Sequence, residues 1–382
     1  MAFATIDVTK GITGVLPDAN ANYSTPRKNA NPIIINGNMA VAQRGTSNTS
    51  ITSAGYYTCD RFKFNRDGIG TWTVTQESLS SGNAYNNGFR KAIRLDCTSA
   101  TASPSAADNL SLITRLEGQD LQLFKKGTSN AEKFTLAFWV KSNKTGTSQV
   151  NLRDTDNTRL ISATYTISSA NTWEHKVLNY AADTTGAFDN DNANSLQIEW
   201  FLDSGTDFSS GTAPTSWEAS DNTDRNANNL ALGNSTDNDF AITGVQLEVG
   251  EFTSSTLPPF QHESFGDNLS RCCRYFFFTG DGSVYQHHGT GVEVSSTAAY
   301  INIPLPSILR SSPSVSKEDT IVAWDGNSEN AITGLGNTYY SSKGAQVNQA
   351  VTCSGGGLDD TAGITVYSSA DSSSGFLINA EL

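Results

Sequence analysis

What this chain lacks narrows it first. Histidine occurs four times, cysteine five times and methionine twice in 382 residues, and basic residues are outnumbered, 25 Lys and Arg against 38 Asp and Glu. The resulting net charge of -13 excludes a nucleic-acid partner, because affinity for a phosphate backbone comes largely from Lys and Arg displacing counterions. No stretch approaches the roughly 18 apolar residues of a membrane-spanning helix, so membrane insertion is not expected. Cys59, Cys97, Cys272, Cys273 and Cys353 form no Cys-x-x-Cys pair and leave one thiol over, which fits reduced cysteines rather than a disulfide framework. The opening MAFATIDVTKGITGVLPDAN has no basic stretch followed by an apolar run, so the expectation is a soluble protein made in a cytoplasm without a secretory signal.

The same scarcity argues against catalysis. His287 and His288 are adjacent, so on a strand they point to opposite faces. His175 and His262 belong to no His-Glu-x-x-His or zinc spacing, and there is neither a Gly-x-Ser-x-Gly nor a Walker loop. Glycoside hydrolysis needs only two carboxylates, but the fixed-period repeat of a β-helical depolymerase is missing. The expectation is a protein that is not an enzyme.

What is present is alternation. Phe62 and Phe64 share a face, as do Ile93, Leu95 and Cys97; so do Phe134, Leu136, Phe138 and Val140, then Leu196, Ile198, Trp200 and Leu202, then Val245, Leu247 and Val249. Period two with polar turns predicts a mainly β protein, with an antiparallel sandwich over residues 31–262. A smaller β domain is predicted over 278–382, where Ile301, Ile303 and Leu305 alternate with Tyr300, Asn302 and Pro304; the prolines place that strand at a sheet edge. Residues 1–30 show no sustained period and read as an arm carrying the spaced apolar residues Phe3, Ile6, Val8, Ile12, Val15 and Leu16.

One segment breaks the β pattern. Phe265, Leu269, Cys272, Cys273 and Phe276 recur at helix spacing, and Ser264 stands three residues before Asp267 as in a capping box. A short helix over 263–277 therefore marks the junction of the two domains, or else tucks against the open end of the first.

Two kinds of binding chemistry are open to this sequence. Between Asp183 and Asp239 there are eleven Asp or Glu and one basic residue, Arg225, so acidic loops offer the hard oxygens that a structural calcium ion prefers, with Asp239 the first candidate. Solvated turns explain those loops equally simply. Aromatics suit sugar recognition, since a ring stacks on a pyranose while amides bond its hydroxyls. Trp139, Trp324, Tyr339 and Tyr340 are the glycan candidates, although Trp139 also reads as a contact with another layer.

The run NPIIINGNMAVAQRGTS, then YYTCDRFKF, FTLAFWVKS, TWEHKVLNY and ITGVQLEVG, and finally PPFQHESFGDNLSRCCRYF, resembles a module of bacteriophage tail-fibre and virion appendage proteins. Its middle is similar to jelly-roll carbohydrate-binding modules, and the likeness covers roughly residues 31–278. The opening ATIDVTKGITGVLPDANA also resembles N-terminal fibre segments, although NANYSTP replaces the usual Gly-Gly-Thr-Gly continuation. The resemblance implies a virion surface protein, a homotrimer that docks on other virion proteins through its N-terminal arm and binds host-surface glycans. A structural capsid decoration, head fibre or tail adaptor without a receptor is the alternative, and a polysaccharide depolymerase a more distant one.

Overall fold

A computed structural model describes residues 31–341, 345–354, 358, 363–369 and 372–382. The arm residues Phe3, Ile6, Val8, Ile12 and Leu16 lie outside the described residues. The protein is mainly β, and residues 47–249 form a sandwich of two six-stranded antiparallel sheets. One sheet runs Ser47–Ile51, Thr71–Ser78, Lys91–Ser99, Asp239–Val249, Phe134–Ser142, Glu174–Tyr180 in order of pairing. The other runs Glu218–Ala219, Arg159–Ile167, Gly146–Asp154, Asn194–Ser204, Asn109–Glu117, Lys63–Asp67. The alternating apolar residues meet between the sheets: Phe138 stands edge-on to Trp200 at 5.5 Å and to Tyr165 at 5.3 Å, and Phe124 stacks on Phe134 at 3.9 Å. Such offset and edge contacts add specificity to the area that aromatic rings bury.

Of the acidic stretch, Asp183, Glu199, Asp203 and Asp239 are buried, while Asp189, Asp191, Asp207, Glu218, Asp221 and Asp237 stay exposed. The outer face of the second sheet carries Gln149, Asn151 and Glu199, all fully buried. Arg225 donates to Glu199 at 2.7 Å while its backbone oxygen accepts from Asn151. Burial pushes the Glu199 carboxyl up, but Arg225 more than offsets this and holds it below the usual range. Near one end of the sandwich the Lys126 ammonium, wholly buried, bonds Asp154, meets Asp183 at 3.0 Å and donates to the carbonyl of Gly186 at 2.7 Å.

That ammonium and two arginines correct the calcium expectation. Asp239 is engaged by Arg94 at 3.0 Å and accepts from the Asn143 amide at 2.9 Å, and Arg159 holds Asp183 at 2.7 Å. Among the described residues no three His, Cys, Asp or Glu side chains gather as a metal site.

Beyond the sandwich, Phe276–Phe278, Gly375–Asn379 and Ser314–Glu318 form a three-stranded sheet. The strands His287–Ser295, Ala298–Pro304, Gln346–Cys353, Glu329–Tyr340, Ile321–Trp324 and Gly363–Ser368 close into a barrel. Ala298–Pro304 is therefore no edge strand: it pairs on both sides, and Pro304 is tolerated as its final residue. A second, mostly aliphatic core fills this part, with Ile301, Ile303, Ile321, Val347 and Val366 fully buried.

The helix is Phe265–Cys273, with the Ser264 hydroxyl accepting from the Asp267 amide at 3.1 Å and donating to its carboxylate at 2.6 Å. Its buried stripe differs from the predicted one. Cys272 and Cys273 are buried, Leu269 is half-buried, and Phe265 is 60% exposed. The inward position of the first turn belongs to Asn268, one helical turn before Cys272. Its oxygen accepts from the Asn36 amide at 3.1 Å and its nitrogen donates to Asn38 at 3.2 Å. A polar side chain took the place reserved for phenylalanine because the segment facing it offers unpaired amides. Phe276 is buried but lies in the strand that follows, so it too is outside the helix.

The junction gathers residues from both parts. Ile35, Val41, Leu269, Cys272, Tyr275 and Leu382 form one apolar cluster. Around it Arg274 grips Glu117 with two bonds of 2.8 Å, Arg61 lies over the Tyr275 ring at 3.4 Å, and Glu381 pairs with both Arg61 and Arg44. All five cysteines are free.

Candidate ligand-binding cleft

On the outer face of the first sheet, Trp139 and His175 are cross-strand partners, and their rings stack at 4.8 Å and 24°. Beside them strand Asp239–Val249 breaks register between Thr243 and Gln246. Gly244 sits in that break at φ +62°, where a Cβ would lie 2.6 Å from the Phe89 ring. Only glycine combines that backbone with the close approach of Phe89. Phe89 in turn packs edge-on to Phe260 at 4.9 Å and against His262 at 5.3 Å. Pro258 and Pro259 stiffen the segment that delivers Phe260, and the Gln246 amide donates to the Pro258 carbonyl at 2.9 Å.

These groups line a cleft of about 410 Å³, with Trp139 and Gln246 inside it, and Asn87, Phe89, His175, Phe260 and His262 around it. Desolvation lowers the affinity of both imidazoles for a proton, while His175 and His262 remain exposed at the rim of the cleft. No Asp or Glu lines the cleft. An uncharged pocket with ring faces and amides can stack on and hydrogen-bond a polyhydroxylated ligand, and it holds no carboxylate pair for glycoside hydrolysis.

The four glycan candidates are not brought together. Trp139 lies in this cleft; Trp324 and Tyr339 are exposed on the barrel wall, 43% and 51% accessible. Tyr340 is corrected: it packs against the barrel core and donates its hydroxyl to the Leu309 carbonyl at 2.9 Å. His175, Phe89, Phe260 and His262 were missed as site residues. The signal that pointed to them was PPFQH, where two prolines precede an aromatic and a histidine, and the His175 position directly across from Trp139 depends on strand pairing.

No protein-family model matches the chain, and no curated protein matches it. Solved structures of remote sequence match parts of the chain at low TM-scores. The enzymatically active domain of bacteriophage CBA120 tailspike protein 4 is 13% identical with a TM-score of 0.29, and the match covers 53% of this chain and 21% of that one. A family 4 carbohydrate-binding module is 9% identical at a TM-score of 0.29, covering 56% of this chain and 97% of that one. A family 29 module is 11% identical at 0.25, covering 55% and 96%. At such scores they bear on no residue of the cleft.

Proposed function

We propose that this chain is a virion surface protein of a bacteriophage that binds host-surface glycans without cleaving them. The observation that carries the glycan reading is the Trp139–His175 stack, set in a neutral cleft with amides and no carboxylate. The resemblance of residues 31–278 to tail-fibre modules supports the virion placement and the docking of residues 1–30 on another virion protein. Homotrimer formation is supported by the barrel wall, where Val292 pairs with Tyr300, whose ring lies 6.2 Å from that of Tyr339; all three are exposed. A row of large apolar side chains in water marks a surface built to be covered.

The test is a glycan array followed by host-cell adsorption with the purified full chain. The expected result is binding that Trp139→Ala weakens about fivefold, the loss of one aromatic stacking partner. Absence of binding by this chain while other virion proteins bind would overturn the reading. Labelled chains seen on capsid faces would instead favour the decoration or head-fibre reading, which the exposed barrel wall also supports.

A further inference from the structure

A second cleft, of about 600 Å³, lies between the two parts of the molecule and shares no residue with the first. Its floor is one face of the three-stranded sheet. Strand Phe276–Phe278 carries phenylalanine on both faces: Phe277 turns to the barrel core, whereas Phe276 and Phe278 turn to the cleft. The register places Asn379 and Ser314 in line with Phe276, and Leu377 and Ser316 in line with Phe278. Glu318 continues that row, and all of these side chains line the cleft. The opposite wall comes from the sandwich and includes Arg44, Asn48 and Tyr57.

The two phenylalanines of the floor are treated differently. Phe276 is capped by the Arg44 guanidinium, 3.4 Å above its ring, and that cation is already paired with Glu381. Phe278 has no such cap. It is flanked by Gly280 and Gly375, where any Cβ would lie 2.5 Å from its ring, so the sheet has been cleared for the ring to lie flat. Ser316 and Glu318 stand on the far strand of this sheet, beyond Leu377, and Asn48 stands across the cleft; all three are exposed, and their side chains take part in no hydrogen bond among the described residues. A ring face with an uncommitted hydroxyl, carboxylate and amide elsewhere in the same cleft suits an oligosaccharide: one unit packs its C–H face on the ring and neighbouring units reach the polar row. Because Arg44 is spent on Glu381, no free cation awaits an acidic ligand.

We propose that this cleft between the sandwich and the three-stranded sheet is a second saccharide site that takes a neutral oligosaccharide, with Phe278 as its platform and Asn48, Ser316 and Glu318 as its polar contacts. It stands on its own residues and does not depend on the Trp139 cleft being occupied. Two sites on one chain let a polymeric glycan bind by avidity, each site being individually weak.

Hydrogen exchange on the full chain separates the two sites, with cellohexaose, xylohexaose, maltohexaose and chitohexaose as probes. Occupancy of the second cleft slows exchange in residues 42–57 and 314–318; occupancy of the first slows residues 139–140, 175–177 and 257–262. The expected result is slowing of the former set by at least one probe. It should weaken about tenfold in the Asn48→Ala/Glu318→Ala variant, which removes two surface contacts and no internal bond, and should persist in Trp139→Ala. Slowing confined to the Trp139 set overturns this site and leaves the first standing. Slowing of residues 42–57 that the double variant leaves unchanged also overturns it, and slowing at neither set with any probe counts against both.

Discussion

The sandwich and the barrel handle apolar surface in opposite ways. Among the described residues nine large hydrophobic side chains are exposed: eight lie between Val284 and Tyr339, the ninth is Phe265, and none is on the sandwich. Conversely, the bulkiest fully buried side chains are concentrated in the sandwich, Trp72, Trp200, Phe62, Phe138 and Phe240 among them, with Tyr275 at the junction. Geometry explains the difference. Two facing six-stranded sheets leave a broad layer that takes tryptophan, whereas the six-stranded barrel closes on a narrower, mostly aliphatic interior of Ile, Val, Leu and Ala, with Phe376 buried against it. The sandwich meets water with hydroxyls, amides and a small cleft, and the barrel meets its surroundings with rings and branched aliphatics.

The sharpest way to break this comparison is to damage one part and watch the other. Lys126→Met leaves Asp154 and Asp183 buried without their ammonium, and removal of one partner of a buried ion pair costs about 3–5 kcal/mol. Urea unfolding should show the sandwich transition moving to lower denaturant while the barrel transition stays; a joint shift would mean that the two parts unfold as one. Asn268→Leu comes next. It strips the junction of the bonds to Asn36 and Asn38 and leaves a buried amide unpaired, a loss of about 1–3 kcal/mol. Limited proteolysis should then cut between the two parts faster than within either.

A smaller effect is expected from pH. Burial raises Asp60 to about 6, against the opposing pull of Arg44 and Gln43. Its folded pKa lies above its unfolded one, so the folded state holds this proton more tightly. The stability contributed by Asp60 is therefore greatest below about pH 4 and is lost as pH rises to about 6. Asp60→Asn removes that slope. The wild-type minus variant unfolding free energy should fall across the window, and a rise would show that Arg44 outweighs burial. The smallest expected change in stability sharpens the contrast most: Val292→Ser with Tyr300→Ser should leave the melting temperature of the sandwich unaltered while light scattering reports loss of self-association. Persistence of the oligomer would move the contact off the barrel wall.

Much of the architecture was legible because each layer is read from a short window. Phe134, Leu136, Phe138 and Val140 announce a strand by their own spacing, and Ser264 with Asp267 announces a helix start. The helix stripe was legible only in part, since Asn268 points inward for the sake of Asn36, which lies far away in the chain. Trp139 was legible as a ring on the outer face, and its partner was not: His175 meets it through strand pairing, and Phe260 and His262 arrive from another direction. The acidic loops suggested a metal because compensating charges, Lys126, Arg94 and Arg159, come from other strands and loops.

The sequence by itself determined the β character, the face each side chain of a strand takes, the short helix with its cap, and the scarcity of histidine. These depend on period two, period 3.6 and composition, which are properties of neighbours. Tertiary structure alone decided which faces became core and which became cleft, that Arg61 and Arg44 would hold Glu381, that Phe278 would lie half-buried between two glycines, and that a strand ending in proline would close a barrel rather than border a sheet. Those outcomes rest on strand order and register, and a register is selected by how the whole buried layer packs, which no local window contains.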